Sequence, residues 1–354
     1  MMGGMGVDIE LLRRMSEAPG VSGFEHGVPE IIEKELEGHG VETRWDRFGN
    51  LYATKGSGEK TLMIAAHTDE IGLIVKHVDE RGFIRFAKLG WVPDHILLGQ
   101  RVFIHGERKT LRGVIGCKAI HLMKDEDKKQ VVTYDKMFID TGASRAALQR
   151  SGVCTGTPMT LDRGLAELEG GLIVGKAFDD RAGCYMLVEA LKAAKPSCRV
   201  VGVFTVQEEV GRSGATIGAS STKPTVGIAI DTTVAGDHPE ISESEAPVKI
   251  GGGVAVLVAD GRRDCLCDGL IANPAVRRWI VETAEKSKIP YQLEILEGGT
   301  TDAASMQVVL EGVPSGALSI PSRYAHSFSE IVSKKDLDNG IKLLVKLMES
   351  KLPA

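Results

Sequence analysis

The stretch TLMIAAHTD, residues 61–69, joins an apolar run to two side chains that can do chemistry. Residues 61–66 have the length and composition of a buried strand, and His67 and Asp69 follow where that strand ends. Upstream, residues 50–54 also predict a strand, and apolar residues at helical spacing predict two short helices over residues 9–15 and 29–36. This first part of the chain is therefore α/β in character.

The sequence changes character after this stretch. Residues 71–162 consist of short β-rich runs separated by glycines, which predicts a compact, mostly β unit. The α/β pattern returns after Gly175, so the β unit is predicted to be inserted into the α/β part. The second α/β part has predicted strands over residues 199–206, 226–230 and 291–296, and predicted helices over residues 182–194 and 303–310, from residue 273 and from residue 335.

The charge balance excludes several classes of partner. The 354 residues include 43 Lys and Arg against 48 Asp and Glu, a formal net charge of −5, without a basic block, so no nucleic-acid partner is expected. The longest stretch of apolar residues and glycine, residues 250–259, is far shorter than the roughly 18 residues of a membrane span, so no membrane partner is expected either. Because residues 1–14 lack a basic region followed by an apolar one, a cytoplasmic protein is expected.

Cysteine is not expected to build a site here. Six cysteines are too few for a disulfide framework in a chain of this length, so reduced thiols are expected. Cys265 and Cys267 form a C-x-C pair without a second pair, and we interpret them as packing residues instead of zinc ligands.

Acidic and imidazole side chains recur just after apolar, strand-like runs or just before a predicted helix. In an open, parallel-rich sheet, ligands bind beyond the carboxyl ends of the strands, so such side chains are expected to converge on one crevice. Two histidines with several carboxylates suit zinc, cobalt or manganese, and in a two-metal site one carboxylate commonly bridges the ions. The groups are His67 with Asp69, Asp179 with Asp180 (either of which can be the bridge), Glu208 with Glu209, Asp231, and His326.

Each of these groups also has an ordinary structural interpretation. Asp179 and Asp180 can simply complement the positive end of the following helix. Glu208 and Glu209 can be a solvated strand end, although neighbours on a strand point to opposite sides, so that one can hold metal while the other faces substrate. The joint placement of all five groups favours a site. The sequence contains neither H-E-x-x-H nor G-x-S-x-G, which removes the commonest zincin and serine-hydrolase signals.

At these residues the sequence resembles the cocatalytic dimetal aminopeptidases of the tetrahedral (TET) type, a family that includes glutamyl and deblocking aminopeptidases and proteins labelled endoglucanase. The segments that carry the resemblance are residues 67–72, 178–181, 205–211, 229–231, 298–303 and 320–327. The resemblance implies an α/β fold with a mixed sheet flanked by helices, and an inserted, small β-barrel-like dimerisation domain. It assigns residues 70–165 to that domain and residues 1–69 and 166–354 to a discontinuous catalytic domain. It further implies dimers that assemble into a tetrahedral dodecamer.

The resemblance also implies a role for each site residue. Two divalent metal ions per subunit, zinc or cobalt, are implied, with Asp179 as the bridge and a cis peptide bond between Asp179 and Asp180. Glu208 is implied to be the general base, and Asp69 to orient the imidazole of His67. The implied metal ligands are His67, in the shell of one metal, and Asp231, in the shell of the other, together with Asp179, Glu209 and His326.

The expected activity is removal of N-terminal residues from short peptides by a metal-activated water, with Glu208 moving the proton. Glu297 is a candidate for lining the first pocket and favouring basic side chains, although an exposed glutamate is its alternative interpretation. A glycoside hydrolase is a second candidate, but retaining glycosidases need two carboxyl groups beside a sugar and no metal pair. A third candidate is a peptide-binding shell that holds metal without turnover.

Overall fold

The structure is a computed structural model, in which residues 6–353 are described; the part of the N-terminal expectation that rests on residues 1–5 lies outside them. The described chain contains the helices α1 (Ile9–Glu17), α2 (Gly27–Leu36), α3 (Arg145–Arg150), α4 (Phe178–Ala193), α5 (Ser213–Thr222), α6 (Pro274–Ser287), α7 (Asp302–Met306) and α8 (Lys334–Glu349). Its strands are β1 (Glu42–Trp45), β2 (Leu51–Lys55), β3 (Thr61–His67), β4 (Gly72–Val78), β5 (Ile84–Leu89), β6 (Arg101–His105), β7 (Thr110–Gly116), β8 (Phe138–Asp140), β9 (Pro158–Leu161), β10 (Ala166–Glu167), β11 (Leu172–Gly175), β12 (Arg199–Thr205), β13 (Val226–Val234), β14 (Val254–Gly261), β15 (Tyr291–Glu297), β16 (Ser315–Ser322) and β17 (Glu330–Ser333).

A mixed sheet of eight strands forms the larger part, in the order β1-β2-β12-β3-β13-β16-β14-β15. The apolar run that opened the sequence analysis is β3, near the middle of the sheet, and all seven of its residues are buried. Helices α1, α2, α4, α6 and α8 pack on one face of the sheet, and α5 and α7 pack on the other. Because both faces are covered, the central strands read as nearly continuous apolar runs. The predicted α/β fold is confirmed.

The register of the central strands brings polar side chains to the same level. In the parallel pair β12–β3, Thr205 is the partner of His67. In the parallel pair β13–β3, Ala229 is the partner of Ala65, and the same spacing continued by two residues puts Asp231 level with His67. Strand β13 runs on to Val234, so Asp231 lies inside the strand and does not follow it as predicted, because β13 stays paired with β16 beyond the end of β3.

Strands β4 to β9 form a closed barrel, in the order β4-β5-β8-β7-β6-β9, which leaves the large sheet just after β3. Its interior is a separate apolar core that includes Leu73, Ile84, Val102, Ile115 and Met159. The inserted β unit predicted from the sequence is thereby confirmed. Its strands extend from residue 72 to residue 161.

Three local predictions are wrong. Glu208 and Glu209 do not lie on a strand, because β12 ends at Thr205 and the left-handed backbone of Gln207 (φ 57°) starts a turn. The helix predicted over residues 303–310 stops at Met306, and Leu310 has a left-handed backbone (φ 59°). Cys265 and Cys267 form a disulfide where reduced thiols were expected, because a turn brings their Cα atoms to 5.2 Å. Among residues 6–353, no helix has both the length and the apolar character to span a membrane.

Candidate active site

Three of the predicted side chains meet at the carboxyl end of β3. His67, Asp179 and Glu209 each offer a ligand atom, and these atoms all lie within 4.8 Å of one another. The closest contact joins His67 Nε2 to Asp179 Oδ1 at 3.1 Å. Asp231 adds a fourth side chain, with its Oδ1 4.0 Å from His67 Nε2.

His326 completes the cluster from the other side of Asp179. Its Nε2 lies 3.5 Å from Asp179 Oδ2 and 3.9 Å from Glu209 Oε2. The two carboxylate oxygens of Asp179 therefore face different imidazoles, Oδ1 towards His67 and Oδ2 towards His326. This is the arrangement that a carboxylate shared by two metal ions requires.

The backbone is unusual at two of the clustered residues, Asp179 and His326. Asp179 lies at the first turn of α4, and the bond between Asp179 and Asp180 is cis, as the resemblance implied. His326 lies in the loop between β16 and β17 with a left-handed backbone (φ 57°). The Nδ1 atom of His326 lies 3.2 Å from the carbonyl oxygen of Trp91, a residue of the barrel. When Nδ1 carries the ring proton and donates it to that carbonyl, Nε2 keeps a lone pair that can bind a metal ion. This is the usual orientation of a metal-binding imidazole.

Asp69 is completely buried beside His67. Its Oδ1 is 3.5 Å from His67 Nδ1, the contact that the resemblance implied. The same carboxylate also accepts hydrogen bonds from the backbone N–H of Glu208 (3.0 Å), the backbone N–H of Glu209 (3.1 Å) and the hydroxyl of Ser22 (2.6 Å). Asp69 thus holds the turn that carries both glutamates, a role that its sequence position does not indicate.

The pKa shifts follow from packing many acids around two imidazoles. Burial raises the pKa values of Glu208, Glu209 and Asp231 well above those of ordinary carboxyl groups, and neighbouring carboxylates raise these three pKa values further. Burial also acts to raise the pKa of Asp179, but the hydrogen bond and charge of His67 outweigh it, so this pKa is lowered. Burial acts to lower the pKa of His67, and its bonds to carboxylates raise it well above the ordinary value.

The common cause of these shifts is that the cluster holds more carboxyl groups than imidazoles. Divalent cations would supply positive charge to such a cluster, and they invert the pKa logic of the groups around them. Imidazole nitrogens and carboxylate oxygens are ligands that zinc, cobalt and manganese accept. The donor set therefore fits a pair of divalent metal ions.

One residue beside the cluster was missed in the sequence. Glu330 is buried at the start of β17, and its carboxylate accepts hydrogen bonds from the backbone N–H of Asp179 (3.0 Å) and of His326 (3.1 Å). A glutamate four residues after a histidine has no characteristic spacing, so only the folded loop reveals this contact. Glu297, by contrast, lies exposed at the end of β15, and among the described residues it is not part of the cluster.

A cavity of about 540 Å³ opens beside the cluster. Glu209 forms part of its wall, and the rest comes from the end of β5 and the barrel segment that follows it. The indole of Trp91 is 83% exposed there, so a flat apolar surface is available next to a candidate metal ligand. The lining residues are Lys88, Gly90, Trp91, Val92, Pro93 and Glu209.

Comparison with known proteins gives a consistent result. The family description "M42 glutamyl aminopeptidase" matches residues 49–343. A putative aminopeptidase of Acetivibrio thermocellus is 41% identical over 338 residues, which cover 95% of this chain and 97% of the relative. An aminopeptidase from the archaeon Desulfurococcus kamchatkensis has a similar structure, with a TM-score of 0.92, 38% identity and coverage of 98% of this chain and 95% of the other. The Pyrococcus horikoshii TET1 peptidase, described as assembling into a tetrahedron or a large octahedral shell, has a TM-score of 0.87, 31% identity and coverage of 97% and 99%.

Proposed function

The chain belongs to the M42 family of glutamyl aminopeptidases, and from this premise we propose that it removes N-terminal residues from short peptides with a water activated by two divalent metal ions. The observation that carries the proposal is the position of Asp179, whose two oxygens face His67 and His326. Because Asp231 Oδ1 lies 4.0 Å from His67 Nε2, Asp231 would hold the same ion as His67 and Asp179, and not the other ion as the resemblance implied. Glu209 and His326 would hold the other ion together with Asp179.

When bound, the ions lower the pKa of a shared water from 15.7 to about 7 and polarise the scissile carbonyl. Glu208 takes the proton from that water and passes it to the leaving amine. One contact supports this division between the paired glutamates. Asp69 holds the backbone of both, but only the carboxylate of Glu209 faces His326, at 3.9 Å, and groups with His67 and Asp179 among the described residues, which leaves the carboxylate of Glu208 for proton transfer.

Substrate enters through the cavity on whose wall Glu209 lies, and the exposed indole of Trp91 packs against the peptide there. For the first side chain we propose a preference for basic residues through Glu297, which ends β15 beside the turn at Gly298. Zinc and cobalt are the proposed metals, because two imidazoles with carboxylates suit both.

Self-association is the second part of the proposal. Residues 70–165 act as a dimerisation domain, the remainder of the chain forms the catalytic domain, and the dimers assemble into a tetrahedral dodecamer. The similarity to the TET1 peptidase of Pyrococcus horikoshii supports this assembly. Native mass spectrometry of the purified protein tests it, and a monomer at micromolar concentration would contradict it.

The activity is tested by measuring release of N-terminal residues from a mixed peptide panel after metal has been removed and zinc or cobalt added back. Wild type and Glu208→Gln are compared, with Glu282→Gln on the surface of α6 as the matched control. We expect metal-restored cleavage by wild type and the control and loss of cleavage in Glu208→Gln. Absence of cleavage by wild type with every metal would refute the proposed function, and full activity of Glu208→Gln would refute the role of this residue.

A further inference from the structure

Glu330 touches the backbone of two proposed metal ligands at once. It is the first residue of β17, and only 2% of it is exposed. One carboxylate oxygen, Oε2, accepts the N–H of Asp179 at 3.0 Å, and the other, Oε1, accepts the N–H of His326 at 3.1 Å. These ligands are far apart in sequence, so the carboxylate joins two separate segments of the site.

The N–H of Asp179 needs a partner from outside its own segment, and the N–H of His326 finds its partner four residues further along its own loop. Asp179 lies at the first turn of α4, where backbone N–H groups have no partner within the helix. The residue in the N-cap position is Ala177, which has no side-chain acceptor, and an anion at a helix N-terminus is favourable. His326 has a left-handed backbone, which is uncommon for a residue other than glycine and must be held by its surroundings.

We propose that Glu330 is a positioning residue that fixes the separation between Asp179 and His326, and thereby determines how tightly these two residues would hold a divalent ion. This inference rests on the proposed function. Ligands must be held to within about 0.5 Å of the productive geometry, and a single buried carboxylate with two short hydrogen bonds does this for both segments. Residues that support metal ligands in this way typically change metal affinity about 10- to 100-fold when replaced.

The effect is expected to differ between the two ions. Glu330 contacts the backbone of Asp179 and His326, whereas the described contacts of His67 and Asp231 do not include it. Without Glu330, the imidazole of His326 would no longer be held in place for the ion on its side of the site, and Asp179 would be held less firmly. The ion on the His67 side keeps its own imidazole in place.

Glu330→Gln is the informative variant, because it keeps the size of the side chain. An amide has one oxygen that can accept, while its NH₂ group only donates and so cannot accept from a backbone N–H. At least one of the two hydrogen bonds is lost. Glu294→Gln is the matched control, since Glu294 is also a buried glutamate on a strand (4% exposed) but accepts from the hydroxyl of Thr233 at 2.7 Å instead of from a ligand backbone.

The experiment titrates cobalt into metal-free wild type, Glu330→Gln and Glu294→Gln at pH 7.5, and follows both the visible absorption of the bound ion and the heat of binding. We expect two ions to bind to wild type and to Glu294→Gln. In Glu330→Gln we expect one of the two ions to bind about 10- to 100-fold more weakly, with an altered absorption spectrum for that ion. Thermal unfolding of the metal-free variants shows whether the two substitutions disturb the fold to a similar extent.

Two ions bound to Glu330→Gln with wild-type affinity would overturn the inference and leave the proposed function standing. An equal loss of affinity in Glu294→Gln would also overturn it, since any buried glutamate would then have the same effect. If wild type binds no cobalt, the proposed function and this inference both fail. Glu330→Asp, whose shorter side chain cannot reach both N–H groups, provides the same test if Glu330→Gln does not fold, and cobalt binding to it like wild type would count against the proposal.

Discussion

Replacing the two partners of one buried ion pair in turn tests how the segments of the site are held together. Lys176 Nζ lies 2.9 and 2.7 Å from the two carboxylate oxygens of Glu70, and each side chain is only 3% exposed. Glu70 follows the end of β3, which carries His67, and Lys176 precedes α4, which carries Asp179. The pair therefore joins the two segments that form the closest contact of the cluster.

The two substitutions are expected to differ in their cost because a second cation is present. Arg181 is completely buried, and its Nη2 lies 3.7 Å from Glu70. Glu70→Gln leaves Lys176 and Arg181 buried without the counter-charge of Glu70, which is expected to cost about 3–5 kcal/mol of unfolding free energy. Lys176→Met leaves Glu70 paired with Arg181, so the main loss is hydrogen bonds to a charged group, about 1.5–3 kcal/mol.

The pH dependence of Glu70→Gln provides a further check. Burial lowers the pKa of Lys176, and the charge of Glu70 raises it again in part. Without Glu70 this pKa is expected to fall further, so the unfolded chain binds more protons than the folded chain over the range between the two pKa values. Stability then rises with pH in this range. The loss caused by Glu70→Gln is therefore expected to shrink as pH rises towards the ordinary lysine pKa of about 10.4.

The assay is urea unfolding of the metal-free protein, followed by circular dichroism. The control is Glu282→Gln, which breaks an exposed pair with Lys286 and is expected to change stability little. A larger loss for Lys176→Met than for Glu70→Gln would refute the reasoning, because the uncompensated cations would then not determine the cost.

Three further predictions concern protonation, metal and specificity. Burial raises the pKa of Glu294 to about 7, so the stability that this carboxyl group contributes is complete below about pH 4.5 and is lost as pH rises through 7. Across this range the unfolding free energy of wild type should fall by about 3 kcal/mol relative to that of Glu294→Gln. A difference between the two unfolding free energies, measured in urea, that does not change with pH would contradict this. Cobalt at 100 times its Kd should raise the unfolding free energy of the metal-free protein by about 2.7 kcal/mol per site, and a melting temperature unaffected by cobalt would count against a folded metal site. Glu297→Gln should lower kcat/KM for a lysyl substrate about five-fold or less and leave kcat/KM for a leucyl substrate unchanged, because an exposed ion pair contributes at most about 1 kcal/mol. An equal loss of kcat/KM on both substrates would show that Glu297 does not line the first pocket.

The side chains that the sequence did predict are those for which topology alone decides the position. His67 ends a buried strand, and the parallel register with β13 brings Asp231 level with it. Acids and imidazoles placed after parallel strands meet at one edge of the sheet wherever they occur in the sequence. Strand-like runs with polar residues near their ends were therefore sufficient to predict that His67 and Asp231 lie close together, although Asp231 lies inside β13 and not after it.

The features that could not be predicted depend on how loops fold. The left-handed backbone at Gln207 takes Glu208 off the strand, and nothing in the local sequence requires it. The contact between Trp91 and His326 uses a backbone carbonyl, so the identity of the side chain gives no indication of it. The disulfide between Cys265 and Cys267 likewise depends on a turn whose shape the C-x-C spacing leaves open.

Two buried carboxylates outside the proposed ligand set explain how ligands from such distant segments can be held in place. Asp69 accepts the N–H groups of Glu208 and Glu209, and Glu330 accepts those of Asp179 and His326. An unpaired buried N–H costs about 1–3 kcal/mol, so moving either segment away from its carboxylate is unfavourable even before a metal binds. The ligand geometry is therefore largely a property of the chain itself. Under the proposed function, metal binding would then have little backbone to order, and its free energy would remain available for affinity.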